Sequence, residues 1–276
     1  MRKVCVMELL TAKNVRSFSS IRRDEASRLV QLIRASTRGE PVNVTERVLW
    51  YESSITCKAA FGELLKDQEK FIGIVRELVE LAGGFSVADI FPSIKILHVL
   101  SGLRSRILKV HKNVDAIVED VINEHKKNIA SGKKGNGALG GLVLCWNRNL
   151  SNNNNMGHDR NDEEPKRVMV NVWAMGRDPK YWEDAESFMP ERFEQNSVDF
   201  MGNNFEFLPF GAGRRMCPGI SFSLINVYLP LAKLLYHFDW KLPDGVKPED
   251  VDMTEYSAIT AARKSELHLI ATPYDI

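Results

Sequence analysis

The sequence predicts a mainly α-helical protein with a small β component. Residues 1–140 contain long stretches whose apolar residues recur every three or four positions, the spacing that places them on one face of a helix. The second half is less regular, and residues 267–271 have the composition of a terminal strand. We therefore expect a helical body with strands confined to the C-terminal part.

Four helices are expected in the first half. The second of them, residues 41–62, has Pro near its start and Gly at its end. The third is expected at residues 64–81, and the fourth and longest at residues 103–129. We interpret the apolar stripe of the longest helix as core packing. The first of the four, residues 22–36, has one broad apolar face formed by Ala26, Leu29, Val30, Leu32 and Ile33.

A change of composition divides the chain. Residues 131–166 are first glycine-rich and then polar and asparagine-rich, with few apolar side chains to bury. We predict a helical part over residues 1–141, an atypical polar linker or junction over residues 142–166, and a C-terminal part over residues 167–276.

Within the C-terminal part, three elements are expected. Residues 167–173 alternate as a strand does, residues 175–182 read as a turn or short helix, and residues 219–238 form an apolar helix. The tryptophans are expected to fill the core: Trp173, Trp182 and Trp240.

Composition excludes several classes of protein. The chain has 276 residues, 44% hydrophobic, and a formal net charge of +1, which argues against a dedicated nucleic-acid binder. No apolar run approaches transmembrane length, and the N-terminus lacks the features of a signal peptide. The four cysteines have neither zinc-site nor disulfide-framework spacing: Cys5, Cys57, Cys145 and Cys217.

The loop of residues 210–219, FGAGRRMCPG, is the most informative stretch. Two glycines without a Cβ allow the backbone to approach a flat ligand closely. Arg214 and Arg215 place fixed positive charge beside Cys217, and Pro218 suits the first turn of the helix that follows. A cysteine at a helix N-terminus favours the thiolate, which is a ligand for redox-active iron.

The loop also resembles a known family. It matches F-x-x-G-x-R-x-C-x-G, the haem-binding pattern of the cytochrome P-450 family of haem-thiolate monooxygenases. The resemblance implies that Cys217 is the axial ligand of a haem iron, that Arg215 pairs with a haem propionate, and that Phe210 packs by the sulfur. The alternative is a structural cysteine near a turn. The five matching positions are Phe210, Gly213, Arg215, Cys217 and Gly219.

The similarity extends over residues 1–141 and 167–276. The P-E-R-F element at residues 190–193 is similar to that of the family, in which its arginine, here Arg192, has a structural role. Arg2 matches an arginine that lies near a haem propionate in the family. Residues 85–92 resemble the F–G region of plant members that oxidise terpenoids.

Two elements of the family pattern cannot be found. The central distal helix carries an acid–threonine pair, and the nearest string, residues 82–86, has Phe85 in place of the acid, so no catalytic residue is identifiable. The E-x-x-R helix is also missing. Glu25 and Arg28 have its spacing but are explained by an ion pair on an amphipathic helix. The membrane anchor of the family is not found either, so we expect a partial fold from a truncated or internally deleted member.

The resemblance implies a function and leaves one alternative open. A complete member of the family uses haem and an NADPH-dependent reductase to insert one oxygen atom into a small lipophilic metabolite, here terpenoid-like. It works at the cytosolic face of the endoplasmic reticulum membrane. The alternative is a catalytically inactive remnant with at most residual haem binding, motivated by the missing elements.

Overall fold

The computed structural model describes residues 5–36, 39–83, 102–131, 170–194, 196–256 and 260–274. Arg2, residues 85–92 and residues 142–166 lie outside these ranges, so what the sequence predicts for them stays a prediction. In the ranges described, no helix is both long enough and apolar enough to cross a bilayer.

The described chain is mainly helical with a small sheet component, as the sequence predicts. A short π-helical segment, Cys5–Leu9, opens it, and three short 3-10 helices lie at Pro190–Phe193, Gly213–Arg215 and Pro248–Asp250. The α-helices are α1 (Ala12–Ser17), α2 (Ser19–Ser36), α3 (Val44–Phe61), α4 (Gln68–Gly83), α5 (Leu103–Ala130), α6 (Val172–Met175) and α7 (Ile220–His237). The strands are β1 (Val42–Asn43), β2 (Phe238–Lys241), β3 (Glu255–Tyr256), β4 (Ala262–Arg263) and β5 (His268–Pro273).

The chain divides into two compact units. The first consists of Met1–Val15 and Leu150–Ile225, and it contains the loop of residues 210–219. The second consists of Arg16–Asn149 and Asn226–Ile276, and it contains the long helices α2 to α5 and the strands.

Helix α3 shows why its predicted start at residue 41 is too early. Val42 pairs with Leu269 and Asn43 with His268 in an antiparallel ladder between β1 and β5. The Asn43 side chain then caps α3 by accepting a hydrogen bond from the Glu46 amide at 3.1 Å. Two residues that read as helix are therefore held in the sheet, and the helix begins after them.

Strand β5 is the centre of a three-stranded antiparallel sheet with the order β1-β5-β2. The terminal strand predicted at residues 267–271 is confirmed. Strand β2 was not predicted; it follows α7 directly and pairs Trp240 with Ala271. Strands β3 and β4 form a separate two-stranded pair.

The core of the second unit lies where α2 and α3 pack on each other and on β5. Ile33, Ile55 and Phe238 are almost fully buried there. The residues of the predicted apolar face of α2 are buried, except Leu32, which is 40% exposed. The stripe of α5 is likewise only partly core: Val110 is buried, whereas Ile107 is 46% exposed.

The expected ion pair between Glu25 and Arg28 is wrong. Glu25 is buried and pairs with Lys58 of α3, whereas Arg28 is exposed. A carboxylate that faces a neighbouring helix is removed from water and therefore needs a partner on that helix. The Glu25–Lys58 pair thus links α2 to α3.

A polar group of α3 is also partly buried. Burial raises the pKa of Glu52 to about 7, and the neighbouring Asn226 offsets part of this rise. Asn226 is buried to 1% exposure, and neither of its amide atoms reaches hydrogen-bond geometry with another residue of the described ranges. The carboxyl of Glu52 therefore lies in an environment that favours its neutral form.

We expect Glu52 to make stability depend on pH. The folded carboxyl holds its proton up to about pH 7, whereas the carboxyl of the unfolded chain titrates near 4.5. The folded state therefore binds more protons between these values, and the free energy of unfolding should fall as pH rises from about 4.5 to about 7. Urea unfolding at several pH values should show a flatter profile for Glu52→Gln. The exposed Glu46→Gln on the same helix is the control and should keep the wild-type slope.

Candidate functional site

The loop of residues 210–219 is closed by its own backbone. The Cys217 amide donates to the Phe210 carbonyl at 2.8 Å, and the Met216 amide donates to the Gly213 carbonyl at 3.2 Å. Between these bonds, Gly213–Arg215 form a single 3-10 turn. The loop thus fixes the backbone of Cys217 relative to Phe210, seven residues earlier.

Two glycines of the loop have backbone angles that other residues rarely adopt. Gly211 has φ 72° and Gly213 has φ 65°. A Cβ built on Gly213 would meet no atom within 4 Å, so its outer face is open. The backbone at Gly213 therefore has open space beside it, and its contact with a flat ligand stays a prediction.

The sulfur of Cys217 is accessible. Cys217 is a free, exposed cysteine, unlike Cys57, which is buried. Arg214 and Arg215 are exposed beside it, and among the residues described neither guanidinium is paired with a carboxylate. An accessible sulfur can act as a ligand for a metal ion. The two guanidinium groups beside it can pair with acidic groups of a ligand that carries the metal.

The helix after the loop begins slightly later than predicted. Helix α7 starts at Ile220, so Cys217 and Pro218 precede it, and Pro218 is not in its first turn. The first helical hydrogen bond runs from the Ser223 amide to the Gly219 carbonyl at 2.8 Å. A Cβ built on Gly219 would lie 3.8 Å from the Cys217 Sγ, which places Gly219 beside the sulfur.

Gly202 supports the loop and was missed by sequence reasoning. It has φ +85°, and a Cβ there would lie 3.0 Å from the Gly211 carbonyl oxygen and 3.1 Å from the Ala212 Cα. A side chain could be admitted only if the backbone of Gly211 and Ala212 moved away by a few tenths of an ångström. The turn-like sequence Met-Gly-Asn-Asn at residues 201–204 was the available signal.

Phe210 contacts a second aromatic ring, that of Phe200, with the centroids 6.1 Å apart. Its carbonyl, in addition, is the acceptor that closes the loop on Cys217. The role of Phe210 beside the sulfur stays a prediction, whereas its role in closing the loop is a finding.

Arg192 binds the backbone of its own segment. Its guanidinium donates to the carbonyls of Glu183 at 2.7 Å, Asp184 at 3.0 Å and Ser187 at 3.0 Å. Its Nε donates to the Met189 carbonyl at 3.2 Å. The N–H groups of the Arg192 side chain are thus hydrogen-bonded to backbone carbonyls of the segment. These contacts support a structural role for Arg192, in which it holds the segment together.

An aromatic cluster lies beside this segment. Trp182 is buried, and the ring centroids of Phe193 and Phe207 lie 5.8 Å and 6.0 Å from it. The expectation that Trp173 also fills the core is wrong. Trp173 is 55% exposed, and the Arg177 guanidinium lies 4.3 Å above its ring.

The strand expected at residues 167–173 is also not observed over the part described. Val172 begins the short helix α6, and the Asn171 side chain caps it by accepting from the Ala174 amide at 3.0 Å. The Asn171 side chain provides a hydrogen-bond acceptor for the Ala174 amide within the segment itself. In a strand, that amide would need a neighbouring strand as its partner, so the capped helix is favoured over the strand that the alternating pattern predicts. Residues 167–169 lie outside the described ranges.

The residues predicted for the site are brought together with one exception. Phe210, Gly213, Arg215, Cys217 and Gly219 all lie in the closed loop or at its exit. Arg2 lies outside the described residues.

Comparison with known proteins identifies the family. The family model described as Cytochrome P450 matches residues 1–163 and 163–269. A premnaspirodiene oxygenase of Hyoscyamus muticus is 49% identical over 372 residues, covering 99% of this chain and 74% of the relative. A 5-epiaristolochene 1,3-dihydroxylase of Nicotiana tabacum is 48% identical over 373 residues, with the same coverage of 99% and 74%.

The fold agrees. A solved zebra fish cytochrome P450, in complex with progesterone, superposes with a TM-score of 0.69 at 17% sequence identity. The superposition covers 99% of this chain and 81% of the zebra fish chain.

The aligned regions of the two plant relatives exceed the 276 residues of this chain. The relatives therefore contain residues, within the matched region, that have no counterpart here, and the chain is a partial version of the fold. Haem is the cofactor of the family, and its members are monooxygenases. With the family model matching nearly the whole chain and plant relatives close to half identical to it, this chain belongs to the cytochrome P450 family.

Proposed function

We propose that the chain is a haem-thiolate monooxygenase that hydroxylates a small, lipophilic, terpenoid-like metabolite. The observation that carries the proposal is the exposed Cys217 in a loop closed by the 2.8 Å hydrogen bond from its amide to the Phe210 carbonyl. Bound haem supplies the activation of dioxygen and the transfer of one oxygen atom to the substrate.

In this proposal, the sulfur of Cys217 would hold the haem iron. Its sulfur is accessible, and its own amide is already bonded to Phe210. The amides of Gly219 and Ile220, at the start of α7, have no acceptor within the helix and can donate toward the sulfur. Such donors stabilise negative charge on a thiolate.

Arg215 has the role of binding a haem propionate. Arg215 is exposed at the end of the 3-10 turn Gly213–Arg215, which begins at the glycine with the open face. A guanidinium and a carboxylate form charge-assisted hydrogen bonds that fix orientation as well as adding affinity. Arg2 is proposed for a second propionate from the resemblance of the N-terminal segment.

The names of the plant relatives support the substrate class. One is a premnaspirodiene oxygenase and the other a 5-epiaristolochene 1,3-dihydroxylase. This chain is nearly half identical to both, and we assign it a lipophilic substrate of the same kind. The partner is an NADPH-dependent reductase, and the location is the cytosolic face of the endoplasmic reticulum membrane, both as is typical of the family.

Gly202→Ala should weaken haem binding. A Cβ at this position would press on the backbone of Gly211 and Ala212, and the positive φ costs roughly 1–2 kcal/mol for a residue other than glycine. We expect lower haem affinity, measured by titrating haem into the apoprotein and following the Soret absorption.

Gly245→Ala is the matched control for this variant. Gly245 has φ +82°, but a Cβ there would meet no atom within 4 Å. It should therefore show the cost of the positive φ in thermal unfolding, with haem affinity unchanged. Equal haem affinity in Gly202→Ala and wild type would contradict the role assigned to Gly202.

A second candidate function is a remnant that binds haem without turnover. The observation that favours it is the length of the aligned regions, 372 and 373 residues against 276 in this chain. We propose that the missing residues fall at the polar junction of residues 142–166, near the point where the two family matches meet at residue 163. The acid–threonine and E-x-x-R elements, which the sequence lacks, would be among them.

Turnover separates the two candidates. Haem-loaded protein is incubated with NADPH, a plant P450 reductase and a panel of sesquiterpene hydrocarbons, and the products are analysed by mass spectrometry. The proposed function predicts an NADPH-dependent product with one added oxygen atom, absent with Cys217→Ser. Folded, haem-loaded protein that yields no product across the panel and also consumes no NADPH would count against the proposed function and favour the remnant.

A further inference from the structure

Helix α7 is apolar on two sides, but the structure covers only one of them. Asn226, Pro230 and Leu234, which belong to the second unit, are buried. An adjacent side, one residue further around the helix, is exposed: Val227 is 52%, Leu231 52% and Leu235 62% accessible. A helix that is hydrophobic all round is normally buried all round.

The exposed side is continuous and uncharged. Val227, Leu231 and Leu235 are spaced four residues apart, which aligns them in one row along the helix. Tyr228 and Tyr236 flank this row and are 55% and 64% exposed. We call these five residues the α7 face.

The size of the α7 face sets the kind of contact it can make. Its five side chains, each slightly more than half exposed, present roughly 500 Å², given that one aromatic side chain buries about 150–250 Å². This lies within the range of about 300–600 Å² for the largest apolar patch of a monomer, a patch that is often functional. Pairing two such faces buries about 1,000 Å², at the small end of specific interfaces.

We propose that the α7 face is a self-association surface, on which a second copy of this chain docks through the same face. Two features favour a second copy. The row is uncharged, so bringing it against itself causes no like-charge repulsion, and a two-fold contact requires a patch that complements itself. In addition, rows of side chains four residues apart interdigitate when two helices cross at about −50°.

The polar neighbours of the row are compatible with this contact. The tyrosine hydroxyls lie at the ends of long side chains that can reach water at the rim of an interface. Lys233, the lysine of α7, points away from the face, since its Nζ donates to the Ser27 Oγ of α2 at 2.8 Å. The pairing would therefore leave the Lys233 ammonium outside the contact.

Sedimentation velocity of the full chain tests the proposal. An interface of this small size implies a weak dimer, so the protein concentration is varied between about 1 and about 100 µM. The fraction of wild-type dimer should rise with concentration over this range. Leu231→Glu should weaken association at least 100-fold, because two glutamates would face each other across the two-fold axis. Leu78→Glu on α4, where Leu78 is 48% exposed, is the matched control and should dimerise as the wild type does.

A charge-reversal pair makes the test independent of any loss of folding. Leu231→Glu and Leu231→Lys should each be monomeric with a wild-type circular dichroism spectrum, and an equimolar mixture should form the dimer again. A wild type that stays monomeric throughout the range would overturn the proposal. So would association that Leu231→Glu leaves intact, or that Leu78→Glu abolishes to the same extent.

Discussion

Replacing Cys217 by serine is expected to abolish the thiolate type of haem absorption. The serine hydroxyl stays protonated at neutral pH and is not a thiolate donor, so the reduced, carbon monoxide-bound protein should lose its thiolate-type Soret band entirely. The loop itself should persist, because its closure uses the amide of residue 217 and the carbonyl of Phe210. Difference spectra of the variant and the wild type, prepared with the same haem loading, measure this effect.

Cys5→Ser is the matched control. Cys5 is also a free cysteine, but it lies in the π-helical segment Cys5–Leu9 and outside the glycine- and arginine-containing loop. Its replacement should leave the band unchanged. A thiolate-type band that survives in Cys217→Ser and disappears in Cys5→Ser would show that Cys5, and not Cys217, is the ligand.

Phe238→Ala should have the largest effect on stability. Phe238 is 1% exposed at the start of β2, and its ring centroid lies 5.5 Å from that of Trp240. Removing a fully buried phenylalanine leaves a cavity and loses apolar burial, at a cost of about 3–5 kcal/mol in the free energy of unfolding. Urea unfolding, followed by circular dichroism, measures the change.

The control for Phe238→Ala is the same substitution at an exposed position. Phe188 is 94% exposed, so Phe188→Ala should change the free energy of unfolding by less than about 0.5 kcal/mol. If both variants lost the same stability, the placement of Phe238 in the core formed by α2, α3 and the β1-β5-β2 sheet would be wrong.

The helices were predictable because their apolar residues repeat along the chain. The long helix predicted at residues 103–129 is observed at Leu103–Ala130, and the one predicted at residues 219–238 is observed at Ile220–His237. In both, many residues contribute to one periodic pattern. The elements that failed are short or depend on distant partners: β1 has two residues and exists because β5 pairs with it.

Burial of individual side chains was less predictable. Trp173 was expected in the core and stacks instead with Arg177 at the surface. Glu25 has an arginine at helical spacing, yet its partner is Lys58 on another helix. In each case the outcome depends on which face of the segment packs against another element. The spacing of residues along the segment does not specify that face.

The candidate site shows the same contrast. The five residues of the loop were found because a glycine, an arginine and a cysteine at fixed spacing form a recognisable pattern. Gly202 was not found, because its importance depends on a contact with the backbone of Gly211 and Ala212, nine or more residues away. Sequence reasoning therefore locates the ligand residue, and the structure adds the residue that supports its loop.

The proposed binding of haem iron by the Cys217 thiolate can be tested before any substrate is known. The measurement is the carbon monoxide difference spectrum of the reduced wild-type chain after haem loading. Ligation by the Cys217 thiolate predicts a Soret band near the long wavelength typical of haem-thiolate proteins. A band at the shorter wavelength typical of histidine or water ligation, or no binding of haem by folded protein, would contradict it.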